Sequence, residues 1–122
     1  MPTNLITSDN FRREAKRLLK KYKSLKGELL ELQDQLLENP EMGTALGYQA
    51  YKIRLAVQSK GKGKRGGLRV ITYVEIVIQV EPDEEYIHNI VLPSIYDKSE
   101  YETIEDQHLK QLIEDIKRNN QD

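Results

Sequence analysis

Two short stretches hold residues suited to gripping a phosphate. In "YKIRLAVQ", Lys52 and Arg54 are two residues apart, and in an extended chain such residues project from one face. In "LRVITYVEIVIQV", Arg69 begins a second alternating run, with Tyr73 four residues on and therefore on the same side. If the two runs pair as a hairpin, Arg69 comes beside Arg54 or Lys52. Cations that close repel unless an anion lies between them, and the guanidinium fork matches a phosphate well. The alternative is that the long side chains splay into water at little cost.

Between the runs lies "SKGKGKRGG", residues 59 to 67, with four glycines, four bases and no acid. A Walker-type phosphate loop needs GxxxxGK[ST] between a strand and a helix, and the pattern is absent. A linker would need a domain on each side, and neither half can bury a full core. A hairpin loop fits: glycine permits positive-φ turn positions, and Lys60, Lys62, Lys64 and Arg65 stay solvated to meet phosphates.

The chain has 122 residues and no cysteine, consistent with a single domain over 1–122 and excluding disulfides, thiolate zinc sites and cysteine catalysis. No apolar run approaches the ~20 residues of a membrane span, and the first residues lack a signal pattern, so a cytoplasmic protein is expected. Net charge is −1 but unevenly spread. Arg12 to Lys26 holds eight bases and one acid, Tyr48 to Val70 seven bases and no acid, and Ile71 onward thirteen acids and four bases. Local potential, not the sum, steers a polyanion. His88 and His108 are far apart with no third ligand pattern, and "EPDEE" reads as an acidic turn. No metal or cofactor is expected.

The elements that position these residues follow from periodicity. Residues 4 to 7 form a short strand, and Ser8 caps a helix beginning at Asp9. Phe11, Ala15, Leu18, Leu19 and Tyr22 make its apolar stripe. Ser24 or Gly27 breaks it from a second helix with Leu25, Leu29, Leu32, Leu36 and Leu37, ended by Asn39-Pro40. "EMGTALGYQ" reads as a loop. Tyr51, Ile53, Leu55 and Val57 then alternate with Lys52 and Arg54, and Leu68, Val70, Thr72 and Val74 with Arg69, Ile71, Tyr73 and Glu75. "YIHNIVLPSIY" is a third long strand, with a bulge or unpaired position expected at Pro93. Thr103 and Asp106 have capping-box spacing for a last helix bearing Leu109, Leu112, Ile113 and Ile116, with a frayed polar tail at about 117–122. The expected fold is α+β: an antiparallel sheet covered on one face by two N-terminal helices, a short C-terminal helix, and the second face open to a ligand.

"YKIRLAVQSKGKGKRGGLRVITYV" followed by "IYDKSE" resembles the RelE/ParE superfamily of bacterial toxins, especially its RelE/HigB-like branch, over about Phe11 to Ile113. The resemblance implies a RelE-like fold and the toxin half of a type II toxin–antitoxin pair. Its RelE-like members cut messenger RNA in the ribosomal decoding site. The bases it implies are Lys52, Arg54, Arg69 and Lys98. Where many members carry a second base after the last of these, this chain has Ser99. Tyr96 and Tyr101 are the aromatics near the C-terminal end for stacking on a base, with Tyr73 a further one.

The same resemblance implies the chemistry of a metal-independent endoribonuclease. The RNA 2′-hydroxyl attacks the adjacent phosphate, leaving a 2′,3′-cyclic phosphate and a 5′-hydroxyl. Lys52 would act as general base, Arg54 and Arg69 would hold the non-bridging oxygens, and Lys98 would stabilise the leaving oxygen. The implied partners are the ribosome, messenger RNA and a cognate antitoxin with acidic residues and an amphipathic segment. Two alternatives stay open: a ParE-like inhibitor of DNA gyrase, and a non-catalytic RNA- or ribosome-binding regulatory domain.

Overall fold

The computed structural model describes residues 3–61, 63, 66–79, 85–100 and 103–119. The elements run β1 (Thr3–Thr7), α1 (Asp9–Lys21), α2 (Leu25–Glu38), β2 (Thr44–Gly47), β3 (Ala50–Leu55), a 3₁₀ turn (Gln58–Lys60), β4 (Leu68–Gln79), β5 (Glu85–Asp97) and α3 (Asp106–Asn119). The Ser8 hydroxyl caps α1 by accepting from the Phe11 amide at 3.0 Å. Asn39 ends α2, its amide donating back to the Gln35 carbonyl.

The five strands form one sheet in the order β1-β5-β4-β3-β2. β1 runs parallel to β5 and the other neighbours are antiparallel, so the sheet is mixed where an antiparallel one was expected. The parallel edge arises because β1 joins the last strand across most of the chain, a pairing that local periodicity does not encode. A second difference is β2, which lies inside "EMGTALGYQ". It turns into β3 through Tyr48 and Gln49, both left-handed at φ +56° and +63°. That hairpin lacks the Asn-Gly signal that usually marks such a turn.

Pro93 produces the expected bulge. Ile71 faces Ser94 and Tyr73 faces Val91, so β5 carries one extra residue at this point. The start of α1 takes up the loosened backbone. The Ser8 hydroxyl lies 3.1 Å and 3.2 Å from the Leu92 and Pro93 carbonyls, and the Asn10 amide donates to the Pro93 carbonyl at 3.0 Å. Opposite the bulge, the buried Thr72 hydroxyl has no hydrogen-bond partner among the described residues.

Each face of the sheet has its own core. On one, Phe11, Leu18, Leu25, Leu32 and Leu36 of the two helices pack on Ile53, Val70, Ile90 and Ile95. On the other, Leu109, Leu112, Ile113 and Ile116 of α3 pack with Ala50, Ile71, Tyr73, Val91 and Tyr96. The second face is therefore not open as the sequence suggested. Burying a Leu or Ile side chain is worth ~1.5–3 kcal/mol, so an amphipathic α3 free in solvent would be the costlier arrangement. The capping box is also unrealised: the first α3 bond runs from the Leu109 amide to the Glu105 carbonyl, and Thr103 is engaged elsewhere. Lys117 and Arg118, expected in the frayed tail, lie within α3.

Candidate functional site

The register places the strand cations as their spacing predicts. Arg54 on β3 stands opposite Arg69 on β4, and Arg69 stands opposite Tyr96 on β5. Lys52 lies one step along the same face of β3, facing Ile71. Lys98 is exposed in the turn after β5, its amide donating to the Gly67 carbonyl.

Access divides the group. Arg54 is exposed, whereas Lys52 is 8% and Arg69 1% exposed. The Lys52 ammonium donates to the Thr103 hydroxyl at 2.8 Å, in the segment leading into α3, and Arg69 Nη1 donates to the Leu68 carbonyl at 3.2 Å. Tyr73 and Tyr96, the stacking candidates, are both buried in the second core. The Tyr96 hydroxyl accepts from the Ile104 amide at 3.1 Å. Burial, and then the Glu75 charge, push the Tyr73 phenol pKa up. Neither ring is open to a nucleobase in this arrangement. Lys62, Lys64, Arg65 and Tyr101 lie outside the described residues.

Lys60 is not the solvated loop base that composition suggested. Its ammonium forms an ion pair with Asp97 at 2.5 Å and lies 5.9 Å from the centre of the Tyr22 ring. Asp97 also accepts from the Tyr22 hydroxyl at 2.7 Å and from the Ser99 amide and hydroxyl, both at 2.9 Å. Burial alone would raise the Asp97 pKa; the hydrogen bonds from Lys60, Ser99 and Tyr22 outweigh it and hold the carboxyl well below the usual range. Tyr22 is pushed up to about 12, first by burial and then by the hydrogen bond to Asp97 and its charge.

A second clasp fixes the same loop root. The Ser24 and Ser59 hydroxyls are 2.9 Å apart, each near the other residue's amide, and Glu28 accepts from the Gln58 amide at 2.8 Å. Gly61 closes the 3₁₀ turn in the left-handed region at φ +75°. Gly67 is required by close approach, because a Cβ there would meet the Leu55 carbonyl oxygen at 2.1 Å. Sequence reasoning missed Asp97 and the two serines; the available signal was an aspartate closing the apolar run of β5 in "SIYDKS".

Among the described residues, α1 carries the densest run of exposed positive charge. Arg13, Lys16, Arg17, Lys20 and Lys21 share one solvent-facing depression. Glu14 turns inward instead, accepting from Ser94 Oγ at 2.8 Å, the Ile95 amide at 3.3 Å and Asn10 at 2.8 Å. Burial raises its pKa, with those Ser94 and Ile95 bonds opposing.

His108 is exposed on α3, as expected, and the His88 side chain lies outside what is described. Of the "EPDEE" turn, residues 81–84 are outside as well. Among the described residues no three His, Cys, Asp or Glu side chains could jointly hold a metal, and no helix is long and apolar enough to cross a membrane. What the site can offer is fixed positive charge: Arg54 and Lys98 to solvent, with Arg69 and Lys52 behind them. No family model matches the chain, and no curated protein matches it significantly.

Proposed function

We propose that this chain is the toxin half of a type II toxin–antitoxin pair, acting in the cytoplasm as a metal-independent endoribonuclease on ribosome-bound messenger RNA. The supporting observation is the row formed by Arg54 directly opposite Arg69, with Lys52 on the same face. Arg54, the exposed member of this row, offers a guanidinium fork that suits the oxygens of a dianionic phosphorane. In this reading Arg54 holds a non-bridging phosphate oxygen. Lys52, released from Thr103 and in its neutral amine form, takes the 2′-hydroxyl proton as the new O–P bond forms, becoming the ammonium. The P–O5′ bond then breaks, Lys98 stabilises the charge on the leaving 5′ oxygen, and that oxygen takes a proton from solvent. The products are a 2′,3′-cyclic phosphate and a 5′-hydroxyl, and the neutralising partner is a cognate antitoxin.

The test is messenger RNA cleavage in a translating extract, with the wild-type chain, Arg54→Ala and Lys52→Ala at equal ribosome occupancy. Loss of one preorganised donor costs ~3 kcal/mol, about 10²-fold in rate, so both variants should be nearly silent. Undiminished cleavage by both removes the row from the mechanism.

A second reading is favoured by the burial of Lys52 and Arg69. A gyrase inhibitor of the ParE type, or a non-catalytic RNA- or ribosome-binding domain, needs no exposed proton-transfer group. Gyrase poisoning without RNA cleavage selects the first; ribosome binding without either activity selects the second.

A further inference from the structure

A short acidic segment crosses the sheet face that carries Lys52 and Arg69. Thr103 accepts from the Lys52 ammonium on β3 at 2.8 Å, and the next residue, Ile104, donates its amide to the Tyr96 hydroxyl on β5 at 3.1 Å. β4 lies between those two strands, so the segment spans the strand of Arg69. Two residues further on, Asp106 accepts from the Tyr48 hydroxyl at 3.0 Å. The Lys110 ammonium stands 3.9 Å from the same carboxylate and 5.3 Å from the centre of the Tyr48 ring. The 103–106 segment is therefore pinned at one end by Lys52 and at the other by the β2–β3 turn.

The segment is lightly held. Thr103, Glu105 and Asp106 are exposed, and Ile104 is the one buried member. The first bond of α3 runs from the Leu109 amide to the Glu105 carbonyl, and Leu109, Leu112, Ile113 and Ile116 fix that helix on the sheet. Lifting Thr103 and Ile104 breaks two hydrogen bonds and uncovers one apolar side chain, while the α3 ladder and its packing stay in place. Segments with few buried contacts and exposed hydrogen bonds open at the low end of local stability. Access along β3 follows the segment: Lys52, which it touches, is buried, and Arg54, two residues on, is exposed. Glu105 and Asp106 also give it the sign opposite to the cations it crosses, so RNA approaching Lys52 meets like charge.

We propose that the 103–106 segment is an autoinhibitory strap that withholds Lys52 from single-stranded RNA until it lifts, with Thr103 and Tyr48 as the positioning residues that keep it closed. The inference deepens the reading above by assigning the control of that site, and it rests on that reading for the ligand. Closed and open straps form a two-state equilibrium, and a ligand that needs the open form binds with its affinity reduced by the open fraction. A change that weakens the strap and leaves Lys52 and Arg54 in place therefore tightens RNA binding. A merely structural role for the same hydrogen bonds predicts the reverse, because their loss would disorder the surface that RNA contacts.

The experiment uses the full chain as wild type, Thr103→Val and Tyr48→Phe, each variant keeping the side-chain shape and removing one hydroxyl. Circular dichroism should show all three folded. Amide hydrogen exchange read by NMR at Ile104 reports the strap, and at Ile113 it reports α3. Ile104 should exchange faster than Ile113 in the wild type, and about fivefold faster again in Thr103→Val, the effect of one lost hydrogen bond, with Ile113 unchanged. Acylation of Lys52 by acetic anhydride, followed by mass spectrometry against the exposed Lys16, should rise by a similar factor. A short dye-labelled single-stranded RNA should bind Thr103→Val about fivefold more tightly in fluorescence anisotropy. Tyr48→Phe should shift all three readouts in the same direction. Ile104 exchange or Lys52 acylation unchanged in both variants overturns the proposal. So does RNA affinity that stays constant or falls in both, and so does the absence of RNA binding by any form. Cleavage in the translating extract is scored separately. Tighter RNA binding with no cut by any form keeps the strap and removes the nuclease reading; cleavage by the wild type with no shift in either variant does the opposite.

Discussion

The Lys60 ammonium and the Asp97 carboxylate meet at 2.5 Å with their side chains only 12% and 4% exposed. The pair ties the root of the glycine-rich loop to the end of β5, and Tyr22 brings the end of α1 to the same carboxylate. Three segments distant in sequence thus share one charge.

That charge should make stability fall in acid. The folded-state pKa of Asp97 is depressed, so its contribution is fully present above the unfolded value of about 4 and is lost as pH falls through the folded value. Urea unfolding should therefore give a flat stability above about pH 5 and a decline below about pH 4. Asp97→Asn should flatten the acid limb. Asp97→Ala, which strands a largely buried ammonium, should cost about 3 kcal/mol at neutral pH. An unchanged acid limb in Asp97→Asn would show that other carboxylates govern it.

Arg54 stands directly opposite Arg69, and removing one of two facing like charges should relieve repulsion. Arg54→Ala is expected to keep or slightly raise stability, by up to about 0.5 kcal/mol, while weakening RNA association. Its loss should also shallow the slope of log affinity against log salt by ~0.7, the value for one single-strand phosphate contact. Destabilisation together with an unchanged salt slope would mean that Arg54 has a structural role.

Thr72 carries a buried hydroxyl opposite the Pro93 bulge, without a partner among the described residues. Thr72→Val keeps the shape and removes the polar atom, and should stabilise by about 1 kcal/mol. For a chain of this size that is a rise of about 3–5 °C in Tm, readable by calorimetry. A fall in Tm would show that the hydroxyl is satisfied in solution.

The β2–β3 turn holds Tyr48 and Gln49 in the left-handed region. Such conformations cost a non-glycine residue roughly 1 kcal/mol. Gln49→Gly should recover about 0.5–1 kcal/mol in chemical denaturation, offset in part by the greater freedom of glycine in the unfolded chain. Tyr48 is a poorer choice, because its hydroxyl donates to Asp106 at 3.0 Å and its ring lies 5.3 Å from the Lys110 ammonium. Destabilisation by Gln49→Gly would indicate that the turn is not strained.

The elements were legible because their signals are local. The caps at Ser8 and Asn39, the stripe Phe11–Ala15–Leu18–Tyr22, the alternation that puts Arg54 and Arg69 on one face, and the bulge at Pro93 each follow from helix or strand period and from the stereochemistry of a few neighbours. Accessibility was not legible. Lys52 and Arg54 have the same alternation and similar chemistry, yet one is covered and the other exposed. Which becomes which depends on Thr103, fifty-one residues later, and on an amphipathic α3 that had to bury its stripe somewhere. The α3 pattern announced that a face would be covered; only the folded chain decided which one. Likewise the run of bases around Lys60 looked uniform in sequence, and the docking of Asp97 and Tyr22 turned one of them into a buried anchor. Period fixes which way a side chain points from its own element, whereas burial depends on what another element brings to that side.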